Sequence, residues 1–102
     1  MNMDLARSIR MAVDTGKVVI GSQLSIKQVL TGSPKLVVVS SNCPTSVKMD
    51  FDSYCKKASV PILVYSGTSL ELGTLCGKPF PISSMAIIEQ GNSDILSNSQ
   101  SE

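Results

Sequence analysis

The stretch SGTSLELGTLCGKP, residues 66–79, lies between two short apolar runs: Ile62, Leu63, Val64 and Tyr65 before it, and Met85, Ala86, Ile87 and Ile88 after it. A strand is expected to turn here through Gly67 into a very short helix. Thr68 stands as N-cap, Glu71 three residues on completes a capping box, and Gly77 stops the helix. The first turn of a helix leaves backbone N–H groups unpaired and carries partial positive charge, so this segment is expected to aim free donors outward beside Tyr65. Donors of that kind suit a phosphate, and the aromatic suits a stacked base. The plainer alternative is a tight strand-to-helix connection, since motifs this short also arise by chance.

The alternation continues on both sides. Leu5, Ile9, Ala12 and Val13 predict a helix over residues 4–14, with Arg7 and Arg10 off its apolar stripe and Gly16 after its end. Residues 17–20 form a β-branched strand, and Gly21 and Ser22 turn it into a second helix whose core face is Ile26, Val29 and Leu30. Gly32 and Pro34 end that helix. Residues 36–39 are a continuous apolar run, the pattern of a strand covered on both faces at the centre of a sheet. Pro44 then opens a third helix, with Val47, Phe51, Tyr54, Cys55 and Ala58 on one side. Strands over 62–65 and 85–89 complete the set, with one helical turn expected over 93–96.

Strands alternating with helices predict an α/β fold with mostly parallel crossovers. The economical form is a three-layer α/β/α sandwich around a small four-stranded mixed sheet, one domain over residues 1–96, followed by a polar, frayed tail over 97–102. Ligands of such sheets meet the loops beyond the carboxyl ends of the strands, here residues 21–23, 40–44 and 65–70. These three loops are expected to converge on one rim.

Composition narrows the chemistry. The chain has 102 residues, 42% apolar and 17% charged, enough for one packed core. It contains no apolar run of bilayer length and no signal-like start, so a cytoplasmic protein with no membrane partner is expected. The three cysteines, Cys43, Cys55 and Cys76, form no CxxC pair, and there is no histidine to complete a zinc site. They read as reduced thiols, two of them buried, and no metal or cofactor is expected. Lack of histidine excludes Ser-His-Asp and Cys-His catalysis, and Asp50, Asp52 and Glu71 make no acid/base pair. No catalytic residue is assigned. A net charge of +1 means that an acidic partner must be held by a local patch.

VIGSQLS after the first strand has neither a GxGxxG fingerprint nor a P-loop lysine, which argues against a nucleotide site. Gly21 instead lets another backbone approach a helix N-terminus, or simply makes a tight turn. Replacing it by valine is expected to block that approach and leave the fold largely intact. Asn42 is a turn former or a ligand contact, and Tyr65 is a stacking platform or a core tyrosine with its hydroxyl outward. Lys27, Lys48 and Lys78 flank the rim as phosphate contacts unless they are merely solvated.

The segments KVVIGSQLSIKQVLTGSPKLVVVSSNCP, KMDFDSYCKKA, VPILVYSGTSLELGTLCGKP and MAIIEQGNSDIL together resemble the large-subunit ribosomal protein family L-thirty-e of archaea and eukaryotes. That family is a branch of the wider L-seven-Ae group of kink-turn RNA binders. The likeness extends over residues 5–96, and GTSLELGTLCGKP is its most specific part. It implies an α/β/α sandwich and a non-enzymatic constituent of the large ribosomal subunit, in the cytoplasm. The partners it implies are rRNA with a kink-turn-like internal loop and other ribosomal proteins, and the free chain is expected to be a monomer. The implied RNA surface consists of Gly21, Ser22 and Gln23 with Lys27, then Asn42 with Lys48, then Tyr65, Ser66, Gly67, Thr68, Ser69 and Leu70, with Lys78 beyond. Bulged and unpaired bases are what proteins read in RNA, because the A-form major groove is too deep and narrow for side chains.

Two positions depart from the family pattern: Gln23 replaces a usual basic residue, and Leu24 a small polar one. One phosphate contact is thereby lost, and weaker binding to free RNA is expected. Two other functions fit the fold: a stand-alone kink-turn binder of another ribonucleoprotein, and a small α/β ligand-binding module or enzyme.

Overall fold

The computed structural model of the chain describes residues 2–32 and 34–91, with side chains from Ala6 onward. Four helices and four strands alternate: α1 (Asn2–Thr15), β1 (Lys17–Ile20), α2 (Ser22–Thr31), β2 (Leu36–Ser40), α3 (Thr45–Ala58), β3 (Ile62–Tyr65), α4 (Ser69–Leu75) and β4 (Ser84–Glu89). Each element expected within the described residues is present, with ends displaced by at most two residues. The helical turn expected at 93–96 and the tail at 97–102 lie outside the described residues.

The strands form one sheet in the order β1-β4-β2-β3. Only β2 and β3 pair in parallel, Val37 opposite Ile62 and Ser40 opposite Tyr65. The last strand, β4, runs antiparallel to both β1 and β2. The sheet is mixed, as expected, with one parallel pairing rather than mostly parallel crossovers, because the segment after α4 returns to the rim before it enters β4. This reversal matters for the site, since it places the start of β4 between the carboxyl ends of β1 and β2.

All five residues of β2 are buried, as a strand covered on both faces must be. Pleating sends Leu36 and Val38 to one side, where they meet Ile9 and Ala12 of α1, Leu72 and Cys76 from the α4 segment, and Met85 and Ile87. Val37 and Val39 face the other way, against Val29 of α2, Phe51 and Cys55 of α3, and Ala86. These two clusters are the two interfaces of an α/β/α sandwich, with α1 and α4 on one face and α2 and α3 on the other. Each fully buried Leu, Ile or Phe in them contributes about 1.5–3 kcal/mol relative to an exposed one.

Helix α2 is the exception to its expected pattern. Val29 is buried, but Leu30 is 60% exposed, so the core face of this helix is Ser25, Ile26 and Val29. Ser25 is accommodated there because its hydroxyl donates to the Val19 carbonyl at 3.3 Å.

Candidate nucleic-acid interface

Four chain segments meet at one end of the sheet. The Gly21 N–H donates to the Ser84 carbonyl at 3.0 Å and the Ser40 N–H to the Ser83 carbonyl at 2.8 Å, which ties the ends of β1 and β2 to the start of β4. On the far side, the Ser41 N–H and hydroxyl both donate to the Gly67 carbonyl, at 3.1 and 2.9 Å. The three expected loops thus share a continuous rim. Ser83 and Ser84, which sequence reasoning left out, lie between them. Nothing in the local pattern gives the direction of β4, so the pair of serines before Met85 was the only available signal.

Asn42 is the clasp. Its Oδ1 accepts from the Ser69 N–H at 2.8 Å and from the Ser40 hydroxyl at 3.0 Å. With the oxygen fixed by two donors, the amide nitrogen faces away, and its two hydrogens have no partner among the described residues. Asn42 is exposed, so the arrangement presents a pair of donors to solvent from a rigid position.

The helix beyond Gly67 is capped as its sequence requires. The Glu71 N–H donates to Thr68 Oγ1 at 3.2 Å, and the Thr68 N–H donates to Glu71 Oε1 at 2.9 Å. The expectation of free donors on this helix is corrected by these bonds. The N–H groups of Thr68, Ser69 and Glu71 are spent on Glu71, Asn42 and Thr68. Like α3, whose N-cap is Pro44, helix α2 has an open terminus: its N-cap is Gly21, with no side-chain capping bond. Its first-turn donors, residues 22–24, face the rim with the partial positive charge of a ten-residue helix behind them.

Gly21 holds φ 109 and ψ 147, a region closed in practice to other residues, and a Cβ built on it has no atom within 4 Å. Open space in front of α2 is what a close backbone approach needs. Gly67 is required for a different reason. A Cβ there would lie 2.5 Å from Cε2 of Tyr65, so the glycine allows the tyrosine ring to fold across the turn. Tyr65 is half-buried against the α1/α4 cluster and exposes the rest of its ring at the rim. Its ring is therefore neither wholly core nor wholly exposed.

Lys27 on the second turn of α2 and Lys48 on the first turn of α3 are exposed and flank the rim. The Lys48 ammonium is close enough to Cys43 to lower its pKa in part, although burial, the larger effect, leaves that thiol above its usual value. Gln23, Ser66 and Leu70 are exposed at the rim, and Ser22 pairs its hydroxyl with that of Ser84 at 2.6 Å. Lys78 is the member not gathered in: it follows the C-terminal end of α4, beside Arg10, whose Nη1 donates to the Leu75 carbonyl at 3.1 Å. Among the described residues, no cluster of ligating side chains could hold a metal ion, and no helix is long and apolar enough to cross a membrane.

The family model described as the ribosomal protein L7Ae/L30e/S12e/Gadd45 family matches residues 3–97. Among curated proteins, the large ribosomal subunit protein eL30 of Methanopyrus kandleri is 47% identical over 93 residues, covering 91% of this chain and 85% of that protein. The protein of the same name from Methanococcus maripaludis is 46% identical over 101 residues, covering 99% of this chain and 95% of its own. Among solved structures, the Giardia lamblia 15.5kD RNA binding protein superposes with a TM-score of 0.73 at 22% identity, covering 97% of this chain and 80% of that one. A protein of unknown function from Bacillus halodurans C gives 0.80 at 22% identity, with both chains fully covered. These two structural likenesses speak for the fold alone.

Proposed function

Because the chain belongs to the ribosomal protein L7Ae/L30e/S12e/Gadd45 family, we propose that it is a structural constituent of the large ribosomal subunit, in the cytoplasm, and that its rim binds a kink-turn-like element of rRNA. The protein is not an enzyme. Its curated relatives are named as ribosomal constituents.

One arrangement carries the reading: the outward amide donors of Asn42, the uncapped first turn of α2 and the half-exposed ring of Tyr65 lie along a single rim. Each part has a task in holding bent RNA. The α2 donors and Lys27 meet phosphates where the strand turns sharply, and Gly21 lets the sugar-phosphate chain come close. The Asn42 amide offers two hydrogens to the acceptors of an unpaired or non-Watson–Crick base edge. Tyr65 supplies a face on which an unstacked base rests. In the subunit, other ribosomal proteins and rRNA segments add contacts that the nearly neutral chain lacks.

The test has two arms. Tagged protein expressed in an archaeal host should sediment with large subunits through a high-salt gradient, and purified protein should retard an RNA containing a kink-turn more strongly than the same RNA with its internal loop closed by Watson–Crick pairs. Equal retardation of the two RNAs would overturn the kink-turn reading, and absence from the subunit peak would overturn the ribosomal one.

A further inference from the structure

The end of the sheet away from the rim carries a cleft of about 390 Å³ between residues 15–17 and 89–91, with Lys35 at its side. The six residues of β4, about 17 Å end to end, separate it from Ser84 at the rim. Its floor is backbone. A Cβ on Gly16 would strike the Glu89 carbonyl oxygen, and one on Gly91 would lie 2.5 Å from the Thr15 carbonyl, so the two glycines let these segments cross in direct contact.

The charges around this floor are ordered by the sheet. The succession β1-β4-β2 sets Glu89 between Lys17, at the start of β1, and Lys35, just before β2, on strands about 10 Å apart. Lys17 and Glu89 are opposite in register, where a lysine and a glutamate ordinarily attract one another. The register shifts between Lys17 and Val18, however, and the two form no ion pair among the described residues. Lys35 makes only a long bond from Nζ to Gln90 Oε1, at 3.4 Å. The carbonyl end of α1 lines the cleft at Thr15 and adds partial negative charge beside Glu89. Asp14, the other carboxylate of this end, is held by Arg10 at 3.0 Å. Lys56 and Lys57, in the last turn of α3, stand at the same end and extend its basic field.

The cleft is thus negative at its centre and positive on both sides, and this pattern selects the occupant. A bare polyanion satisfies the lysines but is repelled by Glu89. One strand of RNA offers the complement in order: a phosphate, a ribose whose 2′-hydroxyl donates, and the next phosphate. DNA lacks the hydroxyl, and an acidic peptide sets a carbonyl beside every N–H that Glu89 could accept. We propose that this cleft is a second RNA site, which grips one ribose-phosphate backbone with phosphates on Lys17 and Lys35 and the 2′-hydroxyl between them on Glu89. Such a site reads no base. It lets the protein hold two RNA segments at opposite ends of the sheet, and it stands whatever the rim binds.

Protein carrying one equivalent of unlabelled kink-turn RNA would be titrated, by fluorescence anisotropy at low salt, with a short labelled uridine oligonucleotide and with its deoxy counterpart. The ribose form is expected to bind about tenfold more tightly, the scale of one charge-assisted hydrogen bond. Glu89→Ala should bring the ratio close to one and strengthen binding of the deoxy form, because the repelling carboxylate is gone. Lys17→Ala and Lys35→Ala should weaken both forms and flatten the salt slope by about 0.7 each. Kink-turn affinity unchanged in all three variants shows that they are folded and that the two sites are separate. An unaltered ribose-to-deoxy ratio in Glu89→Ala, or oligonucleotide binding that neither lysine variant weakens, would overturn the cleft. Competition by an acidic peptide as strong as by unlabelled oligoribonucleotide would give the cleft to a protein partner and overturn the RNA assignment. An oligonucleotide bound with the expected dependences by a protein that ignores kink-turn RNA would overturn the rim reading and support the cleft.

Discussion

The side-chain oxygen of Asn42 accepts the backbone N–H of Ser69 at 2.8 Å, across 27 positions of sequence. One bond thereby joins the loop after β2 to the first turn of α4 and fixes which way the Asn42 amide faces. Position and recognition are separable here, because the oxygen holds the rim together and the nitrogen faces outward.

Asn42→Asp retains the acceptor and places a carboxylate at a helix N-terminus, which is favourable. It removes the outward donors and adds a charge that repels phosphate. Thermal stability at neutral pH should therefore hold, while affinity for a kink-turn RNA falls by at least tenfold. Asn42→Ala should lower both, with about 1 kcal/mol of stability lost for the bonds to Ser69 and Ser40. Calorimetric melting of the two variants, together with titration of the same RNA, separates the two roles.

Tyr65 also has two tasks, which a truncation to alanine would confuse. Leucine keeps the contact with the α1/α4 cluster and loses the aromatic face. Tyr65→Leu should weaken RNA binding by about 1–3 kcal/mol, the usual cost of one base–aromatic contact, with only a small change in melting temperature. A large fall in stability with affinity intact would make Tyr65 a core residue only.

Gly21 requires a revision of the sequence expectation. At φ 109 and ψ 147, a valine or alanine is strained whatever the space around it. Gly21→Val should cost about 1–3 kcal/mol of folding stability in addition to obstructing RNA. Urea denaturation is the measurement, and an unchanged midpoint would show that the loop relaxes to a negative φ.

Much of this architecture was legible because its signals are local. The T-x-x-E spacing from Thr68 to Glu71 specifies its own capping box, and the first four residues of β2, 36–39, read as one apolar run. What was hidden depends on distant parts of the chain. The N–H of Ser69 looked free because its acceptor is 27 residues away. Nearness in sequence to Leu70 suggests the rim for Lys78, but α4 lies between the two residues and carries Lys78 to its other end. Leu30 was placed in the core by its spacing, although α2 turns that position outward. The antiparallel course of β4 follows from a return segment with no periodic signature.

The cysteines predict a pH response. Burial, aided by the negative charge of Asp52, pushes the Cys55 thiol up to about 11. In the unfolded chain it ionises near the ordinary value of about 8.5. The folded state thus holds this proton more tightly. Its contribution to stability is complete below about pH 8.5, declines as pH rises above that value, and is gone once pH passes 11. Chemical denaturation of the unmodified protein and of Cys55→Ala across pH 8 to 11 should show a steeper loss in the former. Equal slopes would mean that the thiol is as readily ionised folded as unfolded.

The last expectation concerns charge. Lys27 and Lys48 are the two cations that flank the rim, while Lys78 sits past the other end of α4 beside Arg10. Each phosphate neutralised contributes about −0.7 to −0.9 to the slope of log K against log salt, so a slope of about −1.4 to −1.8 is expected. Gln23→Lys sets a third ammonium next to the open first turn of α2, where a phosphate is already favoured by the helix terminus. It should tighten binding at low salt and steepen the slope by nearly one. Lys78→Ala should change neither quantity. If Lys78→Ala flattens the slope while Gln23→Lys leaves it unchanged, the RNA path runs along α4 rather than across α2, and the orientation proposed for the bound strand is wrong.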